Sequence, residues 1–171
     1  MQLRWHILGP LIALTGGVFG IVAAAQQEAG YGGYFALFVA APIIEEGVKP
    51  CGVYLLLAKW PQALPSQIYT ALLAALGGLS FAVIENIIYL EVYFPEHTQD
   101  VFLWRYTVCL LVHSGCSFIL GFGINQRLAA SVRGDIPFLK GNRLFFVIPM
   151  VIHCFYNVSV FLLEDKLGWF S

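Results

Sequence analysis

The chain has 171 residues, 59% of them apolar and only 11% charged, with a formal net charge of -1 and a mean hydropathy of +0.78. Soluble domains carry roughly 25% charged residues, and one of this size buries only part of its surface and would leave much of this apolar content in water. The composition excludes an ordinary soluble domain, the charge balance leaves no basic stripe for nucleic acid, and lipid is the solvent that fits.

A membrane-spanning helix needs about 20 predominantly apolar residues. Five stretches meet that length: residues 7–25, 31–58, 68–94, 101–125 and 144–163. The first holds Gly16 and Gly20 in a G-x-x-x-G, a pattern that allows close helix contact but is common by chance in glycine-rich spans. It also has a competing reading as a cleaved signal peptide, with Arg4 ahead of it and Ala23-Ala24-Ala25 at its end. Its apolar core is long for a signal, so we read it as a retained span. The second carries PIIEEGVKP, in which Pro50 removes a backbone hydrogen bond and should kink the helix. The connections are short and hold the turn residues and most of the charge: QQEAG, KWPQALPS, PEHTQD and QRLAASVRGDIPFLKGNR. No internal repeat is present, so the expectation is one all-α, membrane-embedded bundle of about five helices spanning residues 1–171.

Loop charges orient this bundle. Threading five spans with the N-terminus inside places Arg4, Lys59, Arg127, Arg133, Lys140 and Arg143 on the cytoplasmic side. Glu28, Glu91, Glu96, Asp100, Glu164 and Asp165 fall outside, with Arg105 and Lys166 as the outer bases. This positive-inside asymmetry predicts N-in, C-out. The four cysteines, Cys51, Cys109, Cys116 and Cys154, form no C-x-x-C pair and read as small buried hydrophobes; a thiolate metal ligand is the minor alternative.

Glu45, Glu46, Lys49, Glu85, His113 and His153 lie within the spans, accompanied by Asn86 and Asn157. An ionisable residue at a span centre costs roughly 2.5–3.5 kcal/mol on insertion scales. Interhelical glue explains one such residue; six, from four helices at similar depth, point to a functional cavity. Glu45 and Lys49 are four apart and share a helix face. A carboxylate between a buried ammonium and an apolar helix face suits a general base. His153 and Asn157 have the same spacing and can donate hydrogen bonds toward one point, as an oxyanion site requires. His113 and Ser117 repeat it on the fourth span.

Taken in order, IIEEGVKP, FAVIENIIY, LVHSG and HCFYN resemble the motifs of the PrsW family of intramembrane proteases. The arrangement is also similar to the wider group containing the CAAX prenyl endopeptidases and bacteriocin-processing membrane proteases. The resemblance runs from Glu45 to Asn157 and implies an endopeptidase of a prokaryotic inner membrane, acting on a membrane-anchored protein such as an anti-sigma factor by site-1 cleavage. It assigns catalytic positions to Glu45, Glu46, Glu85, His113, His153 and Asn157, with Lys49 and Asn86 in support. In the mechanism expected here, Glu45, with Glu46 as the alternate, takes a proton from water. His113 positions the water, His153 and Asn157 stabilise the oxyanion, and Glu85 orients a histidine or protonates the leaving amine. No cofactor is expected. The alternative is a zinc protease using Glu46, His113, His153 and Glu85, although H-E-x-x-H is absent. From other classes come a proton- or ion-coupled carrier and a non-catalytic subunit, either a scaffold or a haem protein using both histidines.

Overall fold

The computed structural model of the chain describes residues 3–30 and 33–167. All regular structure among these residues is helical. Helix α1 is Leu3–Gly30. A π-helical turn, Ala36–Ala40, runs into α2, Ala41–Val48, followed by α3, Cys51–Lys59. Helix α4, Gln67–Ile88, starts at Ser66, whose side chain accepts from the Tyr69 amide, and ends in a second π turn, Tyr89–Tyr93. Helix α5, Gln99–Trp104, is capped by Thr98 and passes through a third π turn, Arg105–Cys109, into α6, Leu110–Gly121. Helix α7, Gln126–Val132, is capped by Asn125, and α8 is Arg143–Leu167.

Among the described residues, four segments are long and apolar enough to cross a membrane: Arg4–Gln26, Gln67–Tyr93, Gln99–Gly121 and Arg143–Leu163. The second predicted span is different. Pro50 has no N–H to offer the carbonyl four residues back, and with φ -88° and ψ 21° it divides the segment into α2 and α3. The result is four uninterrupted helices and one broken one, where the sequence led us to expect a kink. The free cysteines fit their reading as small side chains, with Cys109 and Cys116 buried.

Burial is inverted relative to a soluble protein. Phe19, Leu72, Leu111 and Phe155 are exposed, whereas Glu46, Lys49, Asn86, His113 and His153 are buried. A lipid environment accounts for both halves of this pattern.

Helices α1, α4, α6, α8 and α2 close a ring, each packed against the next. Glycines set how tightly it closes. A side chain at Gly16 would strike the Lys49 carbonyl, one at Gly17 the backbone of Gly77 and Phe81, and one at Gly20 the Phe81 ring. In α4, Gly77 faces the Lys49 carbonyl and Gly78 the His113 carbonyl and Ser117. These contacts press α1 and α4 onto the α2–α3 break and α6 onto α4, and they make α1 an integral wall of the bundle. Gly17→Ala is expected to destabilise the protein by about 1–3 kcal/mol, the usual range for overpacking. Gly115→Ala, where an added Cβ meets nothing, should be neutral or slightly stabilising. Thermal unfolding in detergent measures both, and equal midpoints would refute this account of the packing.

Candidate active site

The helical repeat places Glu45 and Glu46 on one side of α2, and the break at Pro50 leaves Lys49, on the same side, as its C-cap. The Lys49 side chain is fully buried. Its ammonium lies 2.7 Å from Glu46 Oε1 and 3.4 Å from Glu45 Oε2, over the Phe81 ring. It also donates to His113 Nδ1 at 2.6 Å. An ammonium has only donors, so Nδ1 of His113 is an acceptor and the neutral ring carries its proton on Nε2. That nitrogen faces Glu85 Oε2 at 3.2 Å.

His153 has the opposite tautomer. Its Nδ1 donates to Glu46 Oε1 at 2.9 Å, because the carboxylate can only accept. Nε2 is then a bare acceptor, 3.8 Å from Glu45 Oε2. The two imidazoles meet edge to face with centroids 4.7 Å apart. Glu46 therefore orients: Oε1 serves both Lys49 and His153. Glu45 Oε2 is paired with Lys49 by charge but accepts no hydrogen bond.

A cavity of about 300 Å³ opens on this cluster. Glu45, Glu85, His113, His153 and Asn157 line it, whereas Glu46, Lys49 and Asn86 lie behind its wall. Its remaining lining is largely apolar, with Ala24, Ala25 and Ala41 leaving room beside Glu45.

All the predicted site residues thus belong to one neighbourhood, but not in the roles expected of each. Asn157 donates to the Leu37 carbonyl in the first π turn at 3.0 Å, and His153 to Glu46, so the two do not converge on one point. Ser117 is buried against Gly78 of α4. Asn86 is occupied with Arg105, accepting from its Nε and donating to its carbonyl, both at 2.8 Å.

Arg105 is the residue that sequence reasoning misplaced. Counted among the outer loop charges, it is in fact buried, 3.0 Å from Glu85 Oε2 and stacked over the Tyr89 ring. Its position inside the fourth apolar stretch was the available signal, since an arginine there needs an internal partner. Tyr156 was also passed over; it lines the cavity beside both histidines.

The donor types suit a metal. Glu45, His113 and His153 have ligand atoms within 4.8 Å of one another, as do Glu85, Cys109 and His113, and nitrogen, sulfur and carboxylate oxygen are zinc's usual partners. The arrangement nevertheless does not fit one. A neutral imidazole has a single lone pair, and in His113 the Lys49 ammonium holds it. Ligation through Nε2 would move the ring proton to Nδ1, facing that ammonium at 2.6 Å. Glu46, another expected ligand, has Oε1 committed to Lys49 and His153, Oε2 accepts no hydrogen bond, and the residue lies behind the cavity wall.

Fold and site together define a helical membrane protein with a buried acid–base network around a cavity. The PrsW family intramembrane metalloprotease profile matches residues 4–170, and the chain belongs to this family. It is 25% identical over 174 residues to "Protease PrsW" of Bacillus subtilis (strain 168), a match covering 99% of this chain and 72% of that protein. No solved structure matches. The protein is an intramembrane peptidase, integral to the membrane, and the carrier, haem-binding and scaffold alternatives give way to that assignment.

Proposed function

We propose that the protein hydrolyses a peptide bond of a membrane-anchored protein with a water activated by Glu45. The observation that carries this is the contrast within the glutamate pair. Glu45 lines the cavity, while Glu46 lies behind its wall with Oε1 shared by Lys49 and His153; Oε2 of each accepts no hydrogen bond. Water gives a proton to Glu45 as its oxygen attacks the scissile carbonyl carbon. His153 Nε2, beside Glu45, accepts the water's other hydrogen as a hydrogen bond. The oxyanion takes the second amide hydrogen of Asn157, whose first is bound to Leu37. As the C–N bond breaks, the proton on Glu45 passes to the leaving nitrogen. Glu85 fixes the His113 tautomer, and His113 in turn holds Lys49 against the two glutamates.

The resemblance supports an anti-sigma factor as the first substrate to try and a prokaryotic inner membrane as the setting, and the loop charges support an N-terminus inside. A zinc-assisted version of the reaction is what the family description implies. The experiment that separates the two is metal analysis of the detergent-purified protein, native and His153→Ala. The glutamate mechanism predicts far less than one zinc per chain in both. Near-stoichiometric zinc in the native protein, lost in the variant, would replace it with the metal mechanism.

A further inference from the structure

Arg105 is a cavity-wall residue that the reaction above does not use. Its guanidinium is held on two sides and its backbone at a third point. Nε donates to Asn86 Oδ1, the Arg105 carbonyl accepts from Asn86 Nδ2, and the Tyr89 ring lies 3.9 Å from the guanidinium carbon. The π turn that Arg105 opens sets it opposite α4, and the remaining side of the fork donates to Glu85 Oε2 at 3.0 Å. That same oxygen faces His113 Nε2. The Glu85 side chain is 30% exposed; besides Arg105, the same oxygen meets only Cys109 Sγ, at 3.6 Å, and the His113 ring it orients among the described residues, so Arg105 is its one charged anchor there.

We propose that Arg105 is a positioning residue of the peptidase: clamped by Asn86 and Tyr89, it holds Glu85 where Glu85 fixes the proton of His113 on Nε2. The rival is a purely structural tie between α4 and the α5–α6 segment. A tie would affect stability but would leave the His113 tautomer alone. The catalytic meaning of the proposal rests on the site reading above; its geometric core does not, so the two can fail separately.

The test is NMR of protein labelled with ¹⁵N-histidine in detergent, with the His113 and His153 signals assigned by single substitutions. The native protein should show His113 neutral with a hydrogen-bonded Nε2–H. Arg105→Gln should shift that signal or split it between tautomers, with the His153 signal, set by Glu46, unmoved. Cleavage should fall roughly 10- to 100-fold, as displaced supporting groups produce, and Arg105→Lys should recover much of it. An unmoved His113 signal in folded Arg105→Gln overturns the proposal. If Arg105→Gln does not fold, Arg105→Lys decides, because its ammonium keeps the charge but cannot reach Glu85 and Asn86 together. A smaller shift of His113 there supports the proposal, and an unchanged signal refutes it. Shifted His113 signals with undiminished cleavage would keep the positioning and remove its catalytic meaning.

Discussion

Glu45→Gln is expected to reduce cleavage by about 100- to 10,000-fold, the usual contribution of a positioned general base, with little change in unfolding temperature. An amide has the carboxylate's shape but cannot take a proton from water. The substitution leaves the hydrogen bonds of the site in place, because Glu45 Oε2 accepts none and faces only the Lys49 ammonium at 3.4 Å, which Glu46 also neutralises, and His153 Nε2 at 3.8 Å among the described residues. Glu46→Gln makes the informative comparison. Glu46 bonds both Lys49 and His153, so its loss should lower stability and activity together. Were Glu46→Gln to inactivate a fully stable protein while Glu45→Gln cut normally, the base would be Glu46 and the cavity would be approached from the other side. The comparison needs only a membrane-anchored substrate that the native protein cuts.

The division of labour between the two glutamates was not legible in the sequence, and the reason is geometric. Adjacent helix positions point about 100° apart, and which of them meets the cavity depends on how α2 is rotated against α8 and α6. The membrane class was legible because composition and span length depend on the chain alone. So was the presence of ionisable groups within the spans, because such a group betrays itself wherever it occurs. Pro50 announced a distortion, but a kink and a full break differ only in whether neighbours support the freed ends, and here Gly16 and Gly77 let α1 and α4 do so. The G-x-x-x-G of α1 carried that information unrecognised, since small residues imply close approach without naming the partner.

Arg105 shows the opposite limit. Its partner Glu85 lies 20 positions away on another helix, and charge counting assigns such a residue to a loop by default. The three π turns were also invisible, because one extra residue in a turn hardly alters hydrophobic periodicity. One of these turns presents the Leu37 carbonyl that takes the Asn157 amide, so His153 and Asn157, expected from their spacing to donate toward one point, donate to different partners.

Lys49→Met is expected to cost about 3–5 kcal/mol of stability, the penalty for leaving a buried charge without its partner. The ammonium has no exposure, and Glu46, equally buried, would keep only His153. The companion variant Lys49→Met with Glu46→Gln removes both charges and should recover a large part of the loss, read as unfolding midpoints in detergent. The result bears on more than stability. The tautomer of His113, and with it the poor fit to a metal, follows from Lys49 being a charged donor at Nδ1. A Lys49→Met protein as stable as the native one would mean that this nitrogen carries no charge to lose, and a neutral amine can accept a proton from Nδ1. His113 would then be free to ligate through Nε2, and the zinc mechanism would become the better account of the site. A large loss, restored in the double variant, fixes the ammonium in place and with it the His113 tautomer that leaves no lone pair for zinc.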